Sequence, residues 1–289
     1  MNELWFGVNV SPSAAPGTDP VGDARRAEAL GYDFVSVNDH LHTSDPRHET
    51  WTLLTWIAAS TRRIRVAPRV LAVPYRSPAV VAKMAETLQR LSGGRLVLGM
   101  GGGYADEEFR AFGLEARSPR DKVEGMEEAI RIARGLWTEP WFSFQGRLYR
   151  IEGAQVEPKP DTPIPIWLGT YGPRALAVTG RLADGWIPTL ESAPPEQIPA
   201  MRERVLDVAR AAGRDPDRIR CVYNLDIRVD EQPSDEPGVM SGPPDELVER
   251  LRGFLQLGFT AMNFCPAGPD QAEQAERLAR EVVPALRAA

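Results

Sequence analysis

The sequence from Gly93 to Gly113 reads GGRLVLGMGGGYADEEFRAFG. Its apolar run at 96–100 is typical of a buried strand, and glycines at 99 and 101–103 follow or end that strand. Because glycine lacks a Cβ and tolerates positive φ, such a run can bring a bare loop to a ligand at one end of a sheet. The same glycines also suit a sharp strand-to-helix turn that needs only small residues. The stretch therefore predicts a strand followed by a ligand-binding loop or by a tight turn.

On both sides of this stretch, strand-like and helix-like segments alternate. Apolar, β-rich runs predict strands at 4–10, 34–38, 64–73, 95–100, 164–169, 185–189, 219–229 and 261–265. Amphipathic or apolar segments between them predict helices at 20–30, 51–60, 78–91, 119–137, 173–182, 195–212, 244–258 and 270–286. Eight such cycles in 289 residues imply a parallel sheet with right-handed crossovers, and they favour an α/β fold of the (β/α)8 TIM-barrel type. An open doubly wound sheet is the alternative.

The alternation is interrupted once. Residues 142–156 read as two short strands around Gln145 and Gly146, which predicts a short β-hairpin insertion after the fourth helix. The polar stretch 231–242, rich in proline and glycine, is expected to be a flexible loop over the barrel mouth. No linker divides the chain, so we expect a single domain over residues 1–289.

The composition restricts the class of protein. The net charge is −6 and no long basic run is present, so we expect no nucleic-acid partner. An apolar run of about 18 residues is absent, which predicts no membrane span, and the first residues lack a signal-peptide pattern. Cys221 and Cys265 lie far apart in apolar runs, as is typical of reduced thiols in a cytoplasmic protein.

All three histidines follow the second predicted strand. This strand ends in Asn38, Asp39 and His40, and the other two histidines lie in the same loop. Active sites of barrels lie at the carboxyl ends of the strands, so Asp39 and His40 form a candidate acid/base pair. The alternative is that Asp39 only caps the next helix. A His-x-His metal centre needs further ligands from other strands, and with no other histidine in the chain we expect no metal.

A second candidate site follows the fifth predicted strand, at Gly169, Thr170, Tyr171, Gly172, Pro173 and Arg174. Free backbone N–H groups at a helix N-terminus, the Thr170 hydroxyl and the Arg174 guanidinium suit one phosphate group. The simpler alternative is that Pro173 merely starts the helix. The loop is not a Walker loop, because Gly-Lys-Ser/Thr is missing, and the Gly-rich stretch lacks the acidic partner of a dinucleotide fingerprint.

Several spaced motifs occur in a fixed order. They are Asn38-Asp39-His40, VPYRSP at 73–78, the Gly-rich run with Glu107-Glu108-Phe109, GRLY at 146–149, PKP at 158–160, and PIWLG at 165–169 continuing through Gly172-Pro173-Arg174 to ADGW at 183–186. Together they resemble the luciferase-like monooxygenase superfamily, in particular its branch that depends on the deazaflavin coenzyme F420. This resemblance covers about residues 4–265. It implies a TIM barrel, usually dimeric, in which a hydride passes between the deazaflavin and a small organic substrate.

The resemblance also implies residue roles. Asp39, His40 and Tyr104 would be catalytic, and Tyr104 stands where related sugar-phosphate dehydrogenases carry a glutamate. The cofactor would contact Asp39, His40, Val70, Leu71, Val73, Gly101, Gly102, Gly103, Glu107, Gly169, Thr170, Tyr171, Gly172, Pro173 and Arg174. The family often has a non-proline cis peptide at the position of Val70-Leu71.

Three other functions stay open on the sequence alone. The first is an FMN-dependent monooxygenase of the same superfamily, which would need oxygen access and a reductase partner. The second is a metal-dependent hydrolase on the same barrel, and the third is a non-catalytic F420-binding protein. Cofactor titration and metal content distinguish these alternatives, whereas the substrate and the direction of hydride transfer cannot be inferred from the sequence.

Overall fold

In the computed structural model, which describes residues 3–288, parallel strands alternate with helices from end to end. Residues 1, 2 and 289 of the expected domain lie outside the described residues. The strands are β1 (Trp5–Asn9), β2 (Phe34–Val37), β3 (Arg65–Pro68), β4 (Leu71–Ala72), β5 (Leu98–Gly101), β6 (Phe142–Gln145), β7 (Arg150–Ala154), β8 (Ile166–Leu168), β9 (Gly185–Trp186), β10 (Arg220–Val229), β11 (Val239–Gly242) and β12 (Ala261–Pro266). The α-helices are α1 (Pro20–Ala29), α2 (Thr50–Ser60), α3 (Pro78–Leu91), α4 (Asp106–Ala111), α5 (Pro119–Thr138), α6 (Pro173–Leu182), α7 (Ile198–Ala211), α8 (Pro244–Gln256), α9 (Gln271–Arg277) and α10 (Val283–Arg287).

The parallel strands form a barrel. They are hydrogen-bonded in the order β3-β2-β1-β12-β10-β9-β8-β5-β4, and β4 continues the path of β3 after a two-residue gap. Val66 on β3 bridges Leu96, just before β5, and the N–H of Val97 donates to the Val66 carbonyl at 3.0 Å. These bonds join the two ends of the sheet. The TIM-barrel prediction is therefore confirmed, and the open doubly wound alternative is wrong.

Apolar side chains fill two layers. Inside the barrel lies a buried cluster made of Phe34, Ala67, Val97, Trp167, Ile187, Val222 and Ala261. A larger buried cluster lies between the sheet and the surrounding helices. At the amino-terminal end of the barrel the Trp5 ring is sandwiched between Arg65 and Arg220, whose guanidinium carbons lie 4.0 and 3.9 Å from its centroid. The lower barrel is thus packed, and any ligand has access only at the carboxyl-terminal mouth.

Four features differ from or refine the sequence-based expectation. Strands β6 and β7 pair antiparallel outside the barrel sheet. The short helix α4 occupies the loop after β5. Residues 239–242, expected in a flexible loop, instead form β11 beside the end of β10, because β10 runs beyond the barrel rim and offers free backbone groups. The last expected helix is split into α9, a π turn at Leu278–Val282 and α10, where Pro284 removes a backbone donor.

Candidate active site

A histidine–carboxylate pair lies at the barrel mouth. His40 follows β2, and its Nδ1 lies 2.7 Å from Oε1 of Glu108 on α4. The other carboxylate oxygen accepts from the Tyr75 hydroxyl at 2.6 Å and from the Leu41 N–H at 3.2 Å. Burial raises the pKa of the Glu108 carboxyl, but the hydrogen bonds from Tyr75 and His40 outweigh that effect and hold it below its usual value. Glu108 is therefore ionised at neutral pH.

The ionised carboxylate determines the tautomer of His40. A carboxylate only accepts hydrogen bonds, so Nδ1 of His40 carries the proton at this contact. The Nε2 atom is then the free ring nitrogen, and it lies 3.5 Å from the hydroxyl of Tyr104. Since the His40 side chain is 27% exposed, Nε2 can exchange a proton with a ligand in the mouth. This arrangement suits a general acid or base.

Tyr104 lies at the rim beside His40. The residue as a whole is 80% exposed, and its ring meets that of His40 edge to face with centroids 5.6 Å apart. Partial enclosure of its hydroxyl, followed by the negative charge of Glu108, raises the pKa of Tyr104 above its ordinary value. The phenol therefore keeps its proton at neutral pH and is available as a hydrogen-bond donor.

Asp39 has a different environment from the neighbouring His40. Its carboxylate is buried and accepts hydrogen bonds from both terminal nitrogens of Arg76, at 2.9 and 3.0 Å. It also accepts one from the Ala72 N–H at 3.0 Å. Arg76 also bonds to Glu49, which caps α2. The sequence also allowed Asp39 to cap this helix, but the cap is Glu49. The bonds of Asp39 instead join the β2 loop to the segment after β4, so Asp39 holds the His40 loop in place.

The glycines of the β5 stretch make room for Val70 rather than leaving the main chain bare. A Cβ at Gly101 would lie 2.7 Å from Val70 Cγ2, and one at Gly99 would lie 2.0 Å from the Pro68 carbonyl oxygen. Gly103 has φ +76° and faces the ring of Phe109. Close packing therefore accounts for Gly99 and Gly101, and the positive φ of Gly103 fits the alternative of a sharp turn from strand to helix.

The non-proline cis peptide lies one residue earlier than expected. It joins Arg69 to Val70, not Val70 to Leu71. The side chains of Leu71 and Val73 are buried in the layer between sheet and helices, whereas Val70 packs against the cluster inside the barrel. Of these three expected contacts, only Val70 offers a side chain to the interior, because neighbouring residues on a strand face opposite sides.

The loop after β8 leads into the N-terminus of α6. Gly172 precedes the helix without a side-chain cap, and a Cβ there would meet no non-neighbouring atom within 4 Å. Arg174 is exposed in the first turn. The Thr170 hydroxyl is buried and lies 2.7 Å from that of Thr179, so it is already occupied. The first turn of α6 therefore leaves free N–H groups and the Arg174 side chain exposed at the carboxyl-terminal rim of the barrel, where the loop with His40 also lies.

A chain of polar side chains crosses the upper barrel interior. The Ser36 hydroxyl lies within hydrogen-bond distance of Asn9 Oδ1 and Asn263 Oδ1, at 3.3 and 3.0 Å. Asn263 donates to Asn224 at 2.8 Å. One layer higher, the Oδ1 atom of Asn38 is buried with no hydrogen-bond partner among residues 3–288. This acceptor is therefore available to water or to a donor on a ligand.

The sequence analysis missed several of these residues. Glu107, its candidate on α4, is exposed, and the neighbouring Glu108 is the one that contacts His40. Tyr75, Arg76 and Arg69 were not singled out. The signal available for Arg76 was indirect, since a buried carboxylate at Asp39 needs a nearby cation.

Two further findings concern the described part of the chain as a whole. Within residues 3–288, no group of three or more His, Cys, Asp or Glu side chains is arranged to hold a metal ion. Over the same range, the helices are all too short or too polar to cross a membrane.

A parallel barrel with a carboxylate-oriented histidine and an uncapped helix N-terminus at its mouth defines a TIM-barrel protein of the enzyme type. The chain belongs to the luciferase-like monooxygenase family, whose sequence profile matches residues 7–236.

Comparisons with individual proteins agree with this family. The chain is 27% identical to an F420-dependent glucose-6-phosphate dehydrogenase of Amycolatopsis mediterranei (strain U-32), with 99% of each chain covered. A protein of the same name from Beutenbergia cavernae is 29% identical, over 99% of this chain and 98% of its own length. The solved structure of an F420-dependent secondary alcohol dehydrogenase in complex with an F420-acetone adduct aligns with a TM-score of 0.88 and 20% identity, covering 99% of each chain.

Proposed function

We propose that this protein is a coenzyme F420-dependent oxidoreductase that acts on a small organic substrate. The relatives named F420-dependent glucose-6-phosphate dehydrogenase support the cofactor, because they match over nearly the whole chain. One structural observation carries the proposal. The ionised Glu108 holds His40 with Nε2 toward the mouth, while the uncapped α6 end with Arg174 lies on the same rim. An acid/base group and an anion site thus share one opening.

The residues present fit such a cofactor. The first turn of α6 and Arg174 would bind its phosphate. Val70, packed into the space that Gly99, Gly101 and Gly169 leave, would support the flat ring system. Asn38 would receive a hydrogen bond at its unpaired Oδ1. When bound, the deazaflavin supplies the carbon that gives or accepts the hydride.

The chain's own contribution is proton handling and positioning. His40 would exchange a proton with the substrate oxygen at Nε2, and Glu108 holds the ring in the orientation that this exchange needs. The protonated Tyr104 would donate a hydrogen bond beside Nε2. The ion pair between Asp39 and Arg76 would hold the loop that carries His40 in place.

The proposal extends to the chain's organisation. We take residues 1–289 as one domain, since β1 pairs with β12 and closes the barrel from both ends of the chain. We also propose that the protein is a cytoplasmic homodimer, as the sequence led us to expect.

Separate fluorescence titrations of the purified protein with F420 and with FMN test the proposal. We expect micromolar or tighter binding of F420, weak binding of FMN, and turnover that persists in the presence of a chelator. Tighter binding of FMN would place the protein with the flavin-dependent monooxygenases. Loss of activity with EDTA would favour a metal-dependent enzyme, and binding of F420 without turnover of any substrate would favour a carrier.

A further inference from the structure

The guanidinium of Arg69 is a cation inside the barrel mouth, and some of its N–H donors have no partner among residues 3–288. It follows β3, and its Nε donates to Asn9 Oδ1 at 3.3 Å. That bond places the side chain in the barrel interior, because Asn9 belongs to the polar chain that crosses it. Within the described chain, the two terminal nitrogens of Arg69 have no hydrogen-bond or ion-pair partner. Arg69 is only partly exposed, so a ligand in the mouth can replace the water that otherwise solvates these donors.

A second arginine near the mouth shows the contrast. Arg76 uses its terminal nitrogens on Asp39 and Glu49, and its role is therefore structural. Arg69 is held by a single long hydrogen bond and keeps its planar fork of donors available. A guanidinium in this state is suited to bind an oxygen acceptor on a ligand.

The surroundings of Arg69 are acidic. Asp226 on β10 lies two residues beyond Asn224, which faces the interior, so it faces the same side one layer nearer the mouth. Glu191 follows β9 and is exposed. Enclosure in the mouth raises the pKa of Asp226, the charge of Arg69 lowers it, and the charge of Glu191 raises it. The three charges therefore interact across one space.

This balance of charge disfavours a multiply charged substrate. Arg69 supplies one cation, and Asp226 and Glu191 supply two carboxylates, so a phosphate dianion in this space gains less from Arg69 than it would from an arginine without acidic neighbours. Lys122 packs beside Gly102 at the β5 loop, but its Nζ is paired with Asp106 at 2.6 Å. A neutral oxygen acceptor meets no repulsion from the two carboxylates and satisfies the free guanidinium donors.

We propose that Arg69 binds the oxygen of an uncharged carbonyl or alcohol substrate, and that Asp226 and Glu191 disfavour a phosphorylated substrate at the position beside Arg69. This inference rests on the proposed function. It sets the substrate class apart from the sugar phosphate in the names of the curated relatives.

The test is a set of reduction rates with the protein loaded with reduced F420. In each assay a carbonyl takes up a hydride from the reduced deazaflavin and one proton to become an alcohol. The neutral probes are acetone, cyclohexanone, benzaldehyde and glyceraldehyde, and the phosphorylated ones are glyceraldehyde 3-phosphate and glucose 6-phosphate in its ring-opened form. We expect the best neutral probe to exceed both phosphorylated probes at least about tenfold in kcat/KM.

Variants assign the effect to Arg69. We expect Arg69→Gln to lower kcat/KM for the best neutral probe about 10- to 100-fold, which corresponds to losing one charge-assisted hydrogen bond, with the Kd of F420 unchanged within about twofold. Arg69→Lys should retain an intermediate rate. Arg65→Gln is the matched control, because it removes a cation from the other end of the same strand, where Arg65 stacks on Trp5. Its kcat/KM should equal that of the wild type.

The outcomes separate the two proposals. If wild-type protein fails to bind F420, the proposed function fails. If F420 binds but a phosphorylated probe is preferred, or no neutral probe is reduced, only the substrate assignment is overturned. Unchanged kinetics of Arg69→Gln, or a loss of F420 binding in that variant, would also overturn it. If Arg69→Gln does not fold, Asp226→Asn supplies a second test. In that variant the ratio of kcat/KM for the best neutral probe to kcat/KM for glyceraldehyde 3-phosphate must fall below the wild-type ratio.

Discussion

The contact between Glu108 and His40 gives the sharpest prediction. In Glu108→Gln the side-chain oxygen can still accept from Tyr75 and Leu41, which both bond to one carboxylate oxygen in the wild type. The amide nitrogen then takes the place of the oxygen 2.7 Å from His40 Nδ1. Because an amide N–H donates, Nδ1 must become the acceptor and the ring proton moves to Nε2. The variant keeps the shape of the site and loses the free ring nitrogen.

The magnitude follows from that single bond. A charge-assisted hydrogen bond contributes about 1.5–3 kcal/mol. With about 1.4 kcal/mol for each factor of ten, kcat should fall roughly 10- to 150-fold. The fold should persist, because the bonds from Tyr75 and Leu41 remain. Stopped-flow measurement of F420 oxidation or reduction under saturating substrate reads this step directly.

Tyr75→Phe is the matched control. It removes one bond to the same carboxylate and leaves the bond between Glu108 and His40 in place. We expect its kcat to stay within about tenfold of the wild type, since a net single hydrogen bond is worth about 0.5–1.5 kcal/mol. The reasoning is refuted if Glu108→Gln retains kcat within twofold, or if Tyr75→Phe loses as much as Glu108→Gln does.

Three further predictions follow from the same geometry. Arg174→Gln should raise the Kd of F420 about tenfold or more in a fluorescence titration, because one charged donor to the phosphate is lost. Gly101→Ala should lower the free energy of unfolding in urea by about 1–3 kcal/mol, since its Cβ would lie 2.7 Å from Val70, whereas Gly172→Ala should leave stability nearly unchanged. The pKa of Glu108 lies below its ordinary value of 4.5, so its ionised form stabilises the fold above that pH; the Tm difference between wild type and Glu108→Gln should shrink as the pH falls below 4.5.

The barrel was predictable from the sequence because its signal is repeated. Eight buried runs alternate with helical segments, and each cycle restates the same topology. The loop from Gly169 to Arg174 was predictable as a helix start for a similar reason, since Pro173 and the preceding glycine mark it. Strand β11 was not predictable in this way, because it lies within the polar stretch 231–242, which carries no repeated strand pattern. Its pairing depends on how far β10 extends beyond the rim.

The contacts of the site were harder to predict, because they depend on which side of a short helix faces the barrel and on residues that are distant in sequence. Glu107 and Glu108 are adjacent on a helix of six residues, so their side chains point about 100° apart, and so short an element carries no periodicity to tell which one turns inward. Asp39 and Arg76 lie 37 residues apart, and their pairing follows from the barrel bringing β2 and β4 to one rim. For the glycine-rich stretch the sequence allowed either a ligand-binding loop or a tight turn, and it does not show that Val70 occupies the space beside Gly99 and Gly101.

The role of the glycines links these observations. Because Gly99, Gly101 and Gly169 lack side chains, Val70 can lie inside the barrel and cover its floor with apolar surface. The polar groups are thereby confined to the walls, with His40 on one side and Arg69 next to Val70. A ligand on this floor would be held by apolar contact below and would meet charged or proton-exchanging groups only at its edges. A side chain at Gly101 would displace Val70 and disturb both the floor and the neighbouring Arg69, so Gly101 contributes to the proposed chemistry through packing.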